Sequence, residues 1–221
     1  MGYGVRVDVR GDFALFTRPE MKSERVSYDL ITPSAARGVL ESIMWHPGMK
    51  WIIDEIRVLN PIKFTTVRRN EVGAKAKARV MWQAMVNGDR PPYIATPKDI
   101  MQRASLLLTD VHYVITAHFE MTSQAAASDN PGKFSEMFRR RLAKGQNYHQ
   151  PYLGCREFPA QLRPCEEDVS LPIPEELRGE KDLGFMLYDM DYSDAAHIRP
   201  QFFRAVLRDG VLDLRGVEVF K

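Results

Sequence analysis

Cysteine is almost missing: Cys155 and Cys165 are the only two in 221 residues. They cannot form a disulfide framework or a four-cysteine metal site, so a reducing cytoplasm is the expected compartment. No apolar run approaches the roughly 20 residues that span a bilayer. A membrane-embedded chain and a membrane partner are therefore excluded, and Met1-Gly2-Tyr3-Gly4-Val5-Arg6 does not read as an apolar leader. Gly-rich phosphate loops are also lacking, because Gly2-Tyr3-Gly4 and Arg10-Gly11-Asp12 fit neither the dinucleotide nor the P-loop pattern. With no His-x-x-x-His helix either, no metal and no cofactor are expected.

Charge of one sign is scarce in sum, at +2, but not along the chain. Eight basic residues between Arg57 and Arg90 face only Glu71 and Asp89, and seven between Lys133 and Arg163 face only Glu136 and Glu157. From Glu166 to Asp194, ten acids face Arg178 and Lys181. Charge runs are usually solvated faces. Two basic blocks and one acidic block in a small chain nonetheless suit a protein that turns one side to a polyanion.

Val5, Val7 and Val9 continue an alternation begun at Tyr3, the period of a strand with one face in a core. Thr32 can cap a helix with Pro33 at its first position, and Ala36, Val39, Leu40 and Ile43 follow at helical spacing up to His46-Pro47-Gly48. Extended runs are expected over 52–64 and 106–120, then a helix carrying Phe134, Met137, Phe138 and Leu142, then an extended run over 151–158. The order strand, helix, strand, strand, helix, strand is that of an α+β, ferredoxin-like fold, which leaves one sheet face open, as in RNA-recognition modules. Residues 65–104 are too long for a plain connection and are expected to form an inserted β-hairpin carrying basic residues. Residues 159–221 are expected to form a linker and a small C-terminal antiparallel β-sheet, with a hairpin turn at Asp209-Gly210. The domains expected are thus 1–158 and 159–221.

Two segments hold groups suited to chemistry. In 112–119, His112, Val114, Thr116 and His118 share one strand face, and Tyr113, Ile115, Ala117 and Phe119 share the other. Between Gly145 and Phe158, Tyr148, His149, Tyr152, Gln146, Asn147 and Arg156 follow the Arg-rich helix end. That mixture of stacking groups and polar donors suits single-stranded RNA, and equally an ordered loop entering a strand.

Longer motifs carry a resemblance. Gly11-Asp12-Phe13-Ala14, Phe16-Thr17-Arg18-Pro19-Glu20-Met21-Lys22, Glu24-Arg25-Val26-Ser27-Tyr28, Thr32-Pro33-Ser34-Ala35-Ala36-Arg37-Gly38, Arg68-Arg69-Asn70-Glu71 and the run from His149 to Phe158 are spread over nearly the whole chain. They resemble the fifth family of CRISPR-associated Cas proteins, in its subtype I-C (Dvulg) branch within the RAMP superfamily. The resemblance implies a ferredoxin-like domain with an inserted hairpin and a small C-terminal sheet. It implies a metal-independent endoribonuclease that cuts repeat RNA in the precursor transcript. It also implies that the protein stays on the 5′ handle beside the large subunit and the backbone RAMP subunit of the interference complex.

In that family histidine, tyrosine and lysine carry the reaction. The histidine position falls on His118, the tyrosine position on Met44 and the lysine position on Thr116 or Ala117. Met44 lies at the edge of its helical stripe and is expected to be partly exposed. His46, Lys50, Tyr113, Tyr148 and His149 are the groups that could take the two vacant roles. The residues expected to bind RNA are Arg18, Lys22, Arg25, Arg68, Arg69, Lys75, Lys77, Arg139, Arg140, Arg141, Tyr148, His149 and Arg156. Two other readings compete: a subunit that binds the 5′ handle with little or no cleavage, and a general binder of duplex DNA.

Overall fold

The computed structural model describes residues 4–21, 23–166, 171–194 and 196–221. Its elements run β1 (Val5–Ala14), β2 (Arg25–Val26), α1 (Pro33–Ile43), β3 (Met49–Val58), β4 (Lys63–Val72), α2 (Ala78–Asn87), β5 (Ile100–Met121), α3 (Pro131–Ala143), β6 (Gln161–Pro164), β7 (Glu180–Asp191), β8 (Arg199–Arg208) and β9 (Val211–Asp213). The sheet order is β6-β1-β5-β3-β9-β8-β7. Its first four strands, interleaved with α1 and α3, make the ferredoxin-like arrangement expected from the sequence.

Alternation in β5 sets the two sides of this sheet. Tyr113, Ile115 and Ala117 pair with Val9, Val7 and Val5, and all six are buried against α1 and α3. Helix α1 begins where Thr32 Oγ1 accepts the Ala35 N–H at 3.2 Å, a cap typically worth about 1 kcal/mol. Its Ala36, Val39, Leu40 and Ile43 are buried. Trp51 on β3 lies 5.4 Å from the Phe119 ring and 4.7 Å from that of Phe138 on α3, tying the helix layer to the sheet.

Three expectations are corrected. The run expected over 52–64 is two strands, split at Asn60-Pro61, where proline offers no N–H to the ladder and the Asn60 side chain instead donates to the Asp110 carbonyl at 2.8 Å. The last strand of the ferredoxin-like unit is not 151–158 but β6, which pairs with β1 through Val7 and Pro164 to Arg10 and Gln161. Residues 151–158 instead form a loop pinned to the end of β1, with Leu153 buried and its carbonyl accepting the Leu15 N–H at 3.1 Å. Gly154 is required there, since it holds φ +81° with its α-carbon close against the Leu15 backbone, leaving no space for a Cβ.

Residues 65–104 contain the expected hairpin, because β4 pairs antiparallel with the first half of β5 from Lys63–Thr109 to Val72–Ile100. Helix α2 caps its tip with no buried residue, leaving Trp82 and Met85 exposed. At the other end of the chain, β8 turns into β9 through Asp209 and Gly210, both at positive φ. Strand β9 then bonds to β3 through Glu55–Asp213, Ile56–Leu212 and Arg57–Val211, so the C-terminal strands continue the same sheet.

Met44 is the third correction. It is only 2% exposed, within the core, and its carbonyl accepts the Trp51 indole N–H at 3.0 Å. The stripe of α1 curls one residue further than the spacing suggested because Met44 leaves the helix in extended backbone and turns inward. Met44→Tyr is therefore expected to overpack this site at a cost of about 1–3 kcal/mol, read as a lower melting temperature. An unchanged melting temperature would place Met44 outside the core.

Candidate functional site

The open face of the sheet is the side that α1 and α3 leave uncovered, and His118 stands on it. Its Nδ1 donates to the Asp54 carboxylate, at 2.8 Å from Oδ1 and 2.9 Å from Oδ2. An ionised carboxylate only accepts, so in the neutral imidazole this contact puts the ring proton on Nδ1 and leaves the lone pair on Nε2. Asp54 reaches His118 because β3 breaks register between Ile53 and Glu55. A bulge of this kind re-aims a side chain, and here the Leu214 N–H holds it by donating to the Asp54 carbonyl at 2.9 Å.

The surroundings of His118 are open or reactive. Val5 pairs with Ala117, so Gly4 comes alongside His118 and offers no side chain. On the other flank Ile52 pairs with His118 and Lys50 with Glu120, which puts Lys50 on the same face, diagonal to the histidine. Lys50 and Ile52 also line a cleft of about 120 Å³ closed by Pro33 and Arg37 of α1 and by Tyr188 and Asp189 of β7. The Tyr188 phenol is pushed up by burial and further by the charges of Asp189 and Asp54, and its ring packs 5.7 Å from that of the buried Phe203. Lys50 and Tyr188 thus line one cleft at the edge of β3, and Ile52 in the same cleft pairs with His118 on β5.

A second histidine shares the face without sharing the site. His112 Nε2 lies 2.6 Å from Asp8 Oδ2, and Asp8 also takes the Arg10 guanidinium at 2.9 Å. Burial opposes ionisation of Asp8, but hydrogen bonds from Arg10 and His112 outweigh it and hold the carboxyl below its ordinary range. Thr116 stands between the two histidines, paired with Arg6 and Glu55.

The other proposed catalytic groups are not near His118. Tyr113 points into the core on the opposite face, and burial drives its phenol far above the ordinary value. As an accessible acid or base it is excluded, because adjacent residues on a strand point to opposite faces. His46 packs 4.9 Å from the Phe134 ring, and its Nδ1 accepts the Gly48 N–H at 3.0 Å. Tyr148 is 89% exposed, with the His149 ring 6.1 Å away. Both lie in the loop after α3, whose Tyr148 N–H donates to the Ser42 carbonyl at 2.7 Å.

The arginines fall into two groups. Arg18 binds Asp29 at 3.0 Å and lies over the Tyr28 ring, Arg25 binds Glu71 at 3.2 Å, and Arg141 donates to the Ile43 carbonyl at the end of α1. Arg69 is held by Glu157 and by Ser105 Oγ. These four have structural tasks that compete with RNA. Arg68, Lys75, Lys77, Arg139, Arg140 and Arg156 are exposed, and Lys22 lies outside the described residues. In the acidic block, Glu180 pairs with Arg208, Asp182 with Arg204 and Asp191 with Lys221, so much of its charge is met within the C-terminal strands.

Residues 4–215 match the family described as CRISPR-associated protein (Cas_Cas5), in its Cas5d form. The chain belongs to this family. A relative from Mannheimia succiniciproducens, named CRISPR pre-crRNA endoribonuclease Cas5d, is 47% identical over 97% of this chain and 96% of its own length. A second protein of that name, from Thermus thermophilus, is 36% identical over 95% of this chain and 90% of its own. Among solved structures, one titled as a CRISPR-associated protein superposes with TM-score 0.71 at 21% identity, covering 99% of this chain and 96% of that one. A functionally uncharacterized Streptococcus mutans protein, SMU1763c, gives 0.69 at 22%, covering 99% and 97%. At those identities the two structures speak for the fold, which is that of the Cas5d family.

Sequence reasoning put His118 on this face but did not single out its partner Asp54 or Tyr188. Asp54 shares parity with Lys50 and Ile52 but also with the buried Ile56 and Val58, so the pattern on the two sides of the bulge gives it opposite faces. Tyr188 comes to the edge of β3 through the C-terminal strands and their packing on α1. Lys50 had a legible signal, since it shares parity with Ile52 on the face opposite Trp51. For the exposed cations, replacing Arg68, Lys75 and Lys77 together by alanine is expected to weaken RNA binding. It should also flatten the logarithmic salt dependence by about 0.7 for each phosphate of a single strand that the protein no longer neutralises. An unchanged slope in a salt titration would show that the hairpin faces away from RNA.

Proposed function

We propose that the chain is an endoribonuclease of CRISPR RNA maturation that cuts repeat RNA in the precursor transcript and then stays on the 5′ handle. The observation that carries this reading is the His118–Asp54 pair on the open sheet face, with Lys50 on the same face of the neighbouring strand. Family membership and the printed names of two full-length relatives support it. Further proposals follow from the family resemblance: the partners are the large subunit and the backbone RAMP subunit of the interference complex, and the setting is the cytoplasm. Among the described residues no helix is long and apolar enough to cross a membrane.

In the proposed reaction a ribose 2′-oxygen attacks the adjacent phosphorus and the 5′-oxygen of the next nucleotide leaves. The products are a 2′,3′-cyclic phosphate and a 5′-hydroxyl. His118 Nε2 takes the 2′-OH proton, and Asp54 steadies the imidazolium that forms, as the carboxylate does in a Ser-His-Asp triad. Lys50 offsets the charge that builds on the phosphorane oxygens, filling the role vacant at Thr116. Tyr188 can hand its proton to the leaving oxygen, filling the role vacant at the buried Met44. The chemistry assigned to these side chains uses no metal ion.

His118→Ala is expected to slow repeat cleavage by about 10²–10⁴-fold with RNA affinity retained. Asp54→Asn should slow it through kcat and displace the pH profile, because an amide can hold the ring in the wrong tautomer. Single-turnover kinetics in EDTA measure both, and wild-type rates in His118→Ala would overturn the assignment. If wild-type protein binds repeat RNA tightly but never cuts it, the reading as a handle-binding subunit is correct, as the substitutions at Met44 and Thr116 would permit. Equal affinity for random duplex DNA would favour a general binder instead.

A further inference from the structure

A larger cleft adjoins the one beside His118. It holds about 430 Å³ between the outer face of α1, the loop carrying His149 and Tyr152, and the end of β7. The two clefts share Arg37 and Asp189, which join α1 to β7 through a 2.8 Å ion pair. RNA with its phosphate at His118 would therefore reach this larger cleft by passing around the first half of β3, the part of its edge that β9 leaves unpaired.

The walls of the cleft have the chemistry of a base pocket. Three aromatic side chains line it, His149, Tyr152 and Tyr192, with the His149 and Tyr152 rings 6.3 Å apart and inclined by 33°. Such rings offer a stacking surface to an unpaired base. Its acids are acceptors: Arg37 binds one oxygen of Glu41 at 2.9 Å and one of Asp189, and among the described residues no hydrogen bond is made to the second oxygen of either carboxylate. Carboxylates accept from the amino group of a base and repel a phosphate, so this pocket suits a base rather than the backbone.

Gly38 gives an independent sign that something enters. It lies inside α1, where glycine is the poorest helix former after proline, and no turn or close packing requires it. A Cβ built there meets nothing within 4 Å and points at the cleft it lines. The missing side chain costs helix stability and leaves the pocket open.

We propose that this cleft holds one unpaired base of the bound RNA, stacked on Tyr152 and His149, with its amino group on Glu41. Guanine, adenine and cytosine fit and uracil does not. This rests on RNA being the ligand, but not on the chain cutting it. The test uses the full chain and repeat RNA carrying a 2′-deoxy ribose at the cut site, or unmodified RNA if no cleavage occurs, so that binding alone is read. Each unpaired nucleotide is made abasic in turn.

One position is expected to cost the wild type about 10-fold in affinity, the scale of one base–aromatic stack. Gly38→Leu, which fills the cleft, should lower the affinity for intact RNA by a similar factor and make that abasic change silent, with melting temperature equal or higher. Tyr152→Ala should do the same without filling the cleft. Glu41→Gln should abolish the preference against uracil at that position. The proposal fails if Gly38→Leu binds RNA as the wild type does, or if every abasic effect survives in it. Loss of cleavage with these binding results intact would overturn the nuclease reading and leave the pocket standing.

Discussion

Strand β5 is hydrogen-bonded along both edges, and most of the molecule is placed by that fact. Its 22 residues run antiparallel to β1 on one side and to β3 and then β4 on the other. A strand paired on both edges cannot slip by one residue without turning its whole apolar set to the wrong face. Tyr113, Ile115 and Ala117 are locked inward by α1 and α3, so His112, Thr116 and His118 must face outward. The same strand continues past the core and builds one arm of the basic hairpin, which carries its exposed cations away from the ferredoxin-like unit.

The site depends on a local departure from that regularity. The bulge at Asp54 frees its carboxylate to meet His118, and the C-terminal segment holds the bulge through Leu214. The C-terminal strands thus have a chemical consequence beyond closing the sheet: they brace the aspartate and bring Tyr188 to the same edge. On the proposed mechanism, Tyr188 and Lys50, which line a cleft at the edge of β3, take the roles vacant at Met44 and Thr116.

Charge follows the same division between pattern and placement. The basic blocks were plain in the sequence, yet Arg18, Arg25, Arg69 and Arg141 are engaged by Asp29, Glu71, Glu157 and the end of α1. A guanidinium tied to a carboxylate must give up that partner to bind a phosphate. Among the described residues, Arg68, Lys75 and Lys77 at the hairpin and Arg140 on α3 have no such carboxylate partner.

The sequence by itself determined whatever rests on local periodicity and local chemistry. It placed the helix from Pro33, the face of β5 that carries His118, the turn at Asp209-Gly210 and, through long motifs, the family. Tertiary structure decided what depends on partners distant in the chain. The loop at 151–158 alternates well enough to read as a strand, but the end of β1 holds it by backbone bonds that its own residues do not announce. Met44 sits at the margin of a helical stripe, and only Trp51 and the core decide that it turns inward. Asp54 and His118 are 64 residues apart, and Tyr188 lies 70 residues beyond His118. Periodicity tells which face a residue takes, whereas the pairing of strands and the bulge in β3 decide which residues on that face meet.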